Sequence, residues 1–207
     1  MTTKQLSVVA LIFIIYFAAI IITLHFLRPD VNPAASPTSE YAVGRYGFLM
    51  SSAFVSMSIA TFSLLIGLNR VIYKSAPYRA GRVLFAIWGL GLFIALSFPI
   101  NSQGAELTTK NLIYRINGPI AFLCLSVAVL LFAISFKRDE RWRPIYAAAL
   151  ILALLMLVLF VAIGIAVANK AGVEGLLQRI FLLFLITWFI LTSTYLRSHV
   201  AHGRADK

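Results

Sequence analysis

Charge is what this sequence has least of. Asp, Glu, Lys and Arg make up 12% of its 207 residues and apolar residues 61%, against about 25% and about 45–50% in ordinary soluble domains, so a soluble globular protein is excluded. Cysteine is nearly absent: the single Cys124 can form no intramolecular disulfide and has no sulfur partner for a metal site. Histidine is scarce, with only His25, His199 and His202.

The charges are missing in blocks. Leu6–Leu27, Phe48–Leu68, Val83–Ile100, Gly118–Phe136, Ile145–Ala168 and Ile180–Leu196 contain no Asp, Glu, Lys or Arg. At about 1.5 Å per helical residue each run comes close to crossing about 30 Å of hydrocarbon. The expected fold is therefore all-α: a polytopic membrane protein whose single domain, residues 1–207, is a six-transmembrane-helix bundle. Although Lys4 precedes the first run and Ala34-Ala35-Ser36 has the form of a cleavage site, that run exceeds the about 7–15 residues of a signal core and reads as a span.

Lys and Arg divide 12 to 6 between the two alternating sets of connections. Positive charge is retained on the cytoplasmic side, so both termini are expected there, and the expected location is a prokaryotic cytoplasmic membrane. The net charge of +11 lies in short loops beside spans. Contact with membrane lipids accounts for it, and no nucleic-acid partner is expected.

The spans exclude several chemistries. They hold no ionisable pathway for ion or proton pumping, no lysine for a retinal Schiff base and no histidine pairs for haem. No Walker loop, nucleophile elbow or metal motif occurs, and no cofactor is expected. His199 and His202 read as solvated tail residues. In the second span Ser52, Ser56, Ala60, Ser63 and Gly67 fall within about 80° of one helix face. Such a stripe permits close helix packing or a helix partner. Trp88 and Trp188 lie well inside their spans and read as packing residues, and the fifth span, rich in Leu, Ala and Val, reads as lipid-facing.

Chemistry gathers on the opposite face from the termini. The first connection, residues 28–47, holds three prolines. Ser36-Pro37 has the form of a cap and first position of a short helix, with Glu40 near its positive end and Gly44 placed to stop it. Arg45, Arg115 and Arg179 approach this boundary with His25, Asn101, Asn117, Glu174 and Gln178. Guanidinium groups bind carboxylate or phosphate through paired hydrogen bonds, so a shallow site for a lipid headgroup or amphiphile is one expectation, with Arg28, Tyr41, Arg45, Asn101, Arg115, Gln178 and Arg179 as candidate ligand-binding residues. Pairing of the arginines with Asp30, Glu40 and Glu174 is the structural alternative. Two further alternatives are a membrane-embedded enzyme acting on a lipid-linked substrate, with His25, Asp30 and Glu40 as acid–base groups, and a subunit of a membrane complex.

The stretches His25-Phe26-Leu27-Arg28-Pro29-Asp30-Val31-Asn32-Pro33 and Ser39-Glu40-Tyr41-Ala42-Val43-Gly44-Arg45-Tyr46-Gly47-Phe48-Leu49-Met50, with Gly175-x-x-x-Arg179 and Trp188, resemble an integral-membrane family, the domain of unknown function 998. The resemblance implies six spans and an important first loop, and it supplies no activity. Where the family tends to place an acid, a histidine and a glutamate, this chain has Asn101, Tyr114 and Gln178.

Overall fold

A computed structural model describes residues 1–97 and 109–202, with the side chains of 109–111, 114, 115 and 199–202 excepted. Six helices long and apolar enough to cross a membrane follow one another: α1 (Thr3–Leu27), α2 (Gly47–Val71), α3 (Ala76–Ser97), α4 (Thr109–Arg138), α5 (Tyr146–Asn169) and α6 (Glu174–His202). They make this a multi-pass membrane protein. Apart from Ile145, which closes a 3-10 turn before α5, every apolar run lies on its own helix as far as the described residues extend, but α3, α4 and α6 start well before their runs. Helical hydrogen bonding does not stop where the hydrocarbon does, so Arg79 and Arg82 continue α3 and Gln178 and Arg179 continue α6.

Each helix packs against its neighbours in sequence, and α6 returns to α1, closing a ring. Short connections make the helices alternate in direction. The α1–α2 loop and the α5–α6 turn thus share one end, here the loop end, while both termini lie at the other. Aromatic rings fill the terminal half of the ring: Trp188 stacks on Phe132 at 6.0 Å and meets Phe85 and Phe189 edge-on at 5.8 and 5.6 Å. The small-residue stripe of α2 is packed inside the chain, with Ser56, Ala60, Ser63 and Gly67 buried. A Cβ at Gly67 would lie 2.7 Å from Leu196 Cδ2 of α6 and 3.7 Å from Leu6 Cβ of α1.

A buried carboxylate ties the terminal end together. Asp139 accepts hydrogen bonds from the backbone N–H groups of Tyr73 (3.2 Å) and Arg141 (3.1 Å). Arg141 in turn donates to the Val71 carbonyl at 2.9 Å, and Tyr195 of α6 donates to the Arg141 carbonyl at 2.7 Å.

The first loop differs from its sequence expectation. Its helix is a single 3-10 turn, Thr38–Ala42, preceded by an extended Pro37 with ψ 152° and capped by no side chain. Ser36 is not its cap, because the Ser36 carbonyl is turned toward α6 to accept from Arg179. Gly44 does stand where a stop is expected, one residue past the Val43 C-cap and in the left-handed region. With φ +77° Gly44 also reverses the chain into α2, aided by a left-handed Tyr46 at φ 69°.

Candidate functional site

Arg179, one turn into α6, organises the loop end. Its Nε donates to His25 Nε2 at 2.8 Å, Nη1 to the carbonyls of Ser36 (2.8 Å) and Gly175 (2.9 Å), and Nη2 to the Tyr41 hydroxyl at 3.1 Å. His25 Nδ1 donates to the Ile21 carbonyl at 2.6 Å, which leaves Nε2 as the acceptor and fixes the neutral tautomer. Both ring nitrogens are engaged. The guanidinium also lies over the buried Tyr41 ring, 5.6 Å from its centroid, so α1, the 3-10 turn and α6 meet in one latch.

Backbone contacts reinforce the latch. Leu176 N–H donates to the Ala34 carbonyl at 2.9 Å, and Gly175 lies so close to the carbonyls of Pro33 and Ser36 that a Cβ would collide with both. Gln178 Oε1 accepts from the Thr38 N–H at 2.7 Å and from the Thr38 hydroxyl at 3.1 Å. A second arginine holds the far side of the loop: Arg28 grips Asp30 through Nε (2.8 Å) and Nη2 (2.7 Å) and reaches the Val43 carbonyl at 2.5 Å. Hydrogen bonding to Arg28 keeps the exposed Asp30 carboxyl below the usual carboxylate range and raises the guanidinium in turn.

The candidate residues therefore separate. His25, Tyr41, Gln178 and Arg179 converge; Arg28 and Asp30 form a pair apart from them; Glu40 lies on the 3-10 turn. Arg45 is exposed and stacks on Tyr46 at 4.9 Å. Asn101 and the Arg115 side chain lie outside the described residues, as do the side chains of Tyr114, His199 and His202. Among the described residues no group of three potential metal ligands occurs.

Below the latch lies a cavity of about 380 Å³ to which every helix contributes. Its floor is aromatic, with Trp88 and Phe122 edge-on at 5.4 Å and Phe181 behind Phe122 at 5.0 Å. Its walls include Phe17, Met50, Phe54 and Leu182. Polar side chains are confined to the loop end: Thr38, Ser39, Asn117 and Gln178. Asn117 donates to the Gly91 carbonyl at 2.9 Å. Sequence reasoning had Gln178 and Asn117 at the boundary but missed this chamber. Its signal was Gly118, Pro119 and Gly164 within otherwise bulky spans, the two glycines having no neighbour within 4 Å of where a Cβ would stand.

A model of the family described as protein of unknown function (DUF998) matches residues 10–195. The chain belongs to this family. Neither a functionally described protein nor a solved structure matches it. The matched region of this DUF998 protein includes the whole latch and every cavity-lining residue, so the parts that meet in space all lie within the family's extent.

Proposed function

We propose that this DUF998 protein binds a membrane amphiphile, with the apolar portion in the central cavity and the polar portion beneath the latch. The carrying observation is the segregation of the cavity: hydrocarbon and aromatic walls, with polar side chains only at the loop end. That is the pattern of small-molecule sites, which are mostly apolar with a few placed polar groups and span about 300–1,000 Å³.

The 12-to-6 distribution of Lys and Arg supports placing the termini in the cytoplasm and the latch at the extracytoplasmic face. Native mass spectrometry of protein released from nanodiscs tests the reading. Wild type retains a co-purifying amphiphile, whereas Ala95→Phe, which fills cavity space from α3, retains less. Equal retention by the two proteins would contradict it.

A further inference from the structure

The cavity wall is not equally covered on all sides. Of its lining residues, those exposed are Pro119 on α4 and Val161, Gly164 and Val167 on α5, the valines 57% and 58% open. Lining residues from α1, α2, α3 and α6 are buried or half-buried. No atom of another element lies within 4 Å of where a Cβ would stand at Gly118 or Gly164. On its α4–α5 side the cavity is therefore bordered by residues that also face outward, where hydrocarbon surrounds the bundle. At the loop end the described cover is Thr38 and Ser39, with Thr38 bonded to Gln178 and the turn pinned by Arg179.

The polar groups left over define the head. Among the described residues no cavity-lining side chain is charged. Arg179 is engaged by His25, Tyr41 and two carbonyls, and Arg28 by Asp30 and Val43. Thr38 spends its N–H and hydroxyl on Gln178 Oε1, leaving the Gln178 amide N–H groups to donate, while Asn117 gives one Nδ2 N–H to Gly91 and keeps the other to donate and Oδ1 to accept. Ser39 adds a hydroxyl on the same rim. Mixed donors and acceptors match a head that carries a hydroxyl and an ester or amide, whereas the described lining offers an ionised head no counter-charge.

We infer that the cavity is loaded sideways from the bilayer, through a window between Gly118-Pro119 of α4 and Val161-Gly164-Val167 of α5, and that its ligand is an uncharged amphiphile. The inference rests on the amphiphile-binding reading above and adds the route and the ligand class.

A monoacylglycerol carrying a chain diazirine, added to nanodiscs holding the full chain, tests both additions. Wild type is labelled at cavity residues, and excess unlabelled monoacylglycerol competes while a lysophosphatidate of equal chain length does not. Gly164→Trp and Val161→Trp, which project into the window from α5, slow labelling several-fold without lowering its final level. Unchanged rates in both tryptophan variants, or lower final levels at unchanged rates, overturn the window while leaving the cavity reading intact. Equal competition by lysophosphatidate overturns the uncharged class. Absence of cavity labelling in wild type overturns the binding reading and this inference with it.

Discussion

Arg179 does at the loop end what no other residue type can do in its place. Its planar fork meets an imidazole, a phenol and two carbonyls at once, whereas lysine offers a single ammonium without that geometry. Arg179→Lys should therefore destabilise the protein by about 2–3 kcal/mol, read as a lower unfolding temperature in detergent, while Arg45→Ala, which removes an exposed stack on Tyr46, stays within about 0.5 kcal/mol of wild type. The Arg28–Asp30 pair titrates. Because its hydrogen bonds depress the Asp30 carboxyl, the stabilisation is complete above the ordinary aspartate value of about 4 and disappears as pH falls through the lower folded-state value. Wild type should thus unfold at a higher temperature than Asp30→Asn near neutral pH, and the difference should vanish in strong acid. In the core, the Thr192 hydroxyl is buried without a partner among the described residues. Thr192→Val keeps the shape and removes an unsatisfied group, so it should be neutral or stabilising by up to about 1 kcal/mol; a clear loss of stability in the same assay would reveal a bond the hydroxyl makes.

The helices were legible because hydrocarbon thickness acts on contiguous sequence: six uncharged runs became six helices. Their ends were less so, since a helix is free to continue into the headgroup layer on polar residues, as Arg79 and Gln178 do. The short helix at residues 38–42 was visible through Pro37, but its cap was not. Ser36 has the residue type of a cap, and only the position of Arg179, far away in sequence, reveals that its carbonyl serves α6 instead. The clasp at the terminal end was equally hidden, because Asp139 lies in an ordinary basic loop and acquires its role from Tyr73 and Arg141. Asp139→Ala should cost about 1–3 kcal/mol, since two part-buried backbone N–H groups lose their acceptor. Arg141→Ala, with a 64% exposed side chain, should cost about 1 kcal/mol or less. Thermal unfolding of both variants side by side checks the order.

At the scale of the molecule the ring divides into two halves with different uses. Aromatic packing around Trp188 makes the terminal half solid, and Gly118, Gly164 and Pro119 leave the loop half hollow beneath the Arg179 latch. The sequence announces each of these small residues separately. That they fall at one depth on helices running in opposite directions depends on how the ring closes, which no local pattern encodes. The hollow half is the centre of the account, and its occupant is what matters most. The most direct measurement is an experimental structure of the full chain in lipid nanodiscs. An elongated density along Phe17, Met50 and Leu182, its polar end within hydrogen-bond distance of Gln178 and Asn117, is the predicted result; a cavity closed by its own side chains, or holding only water, would contradict the account.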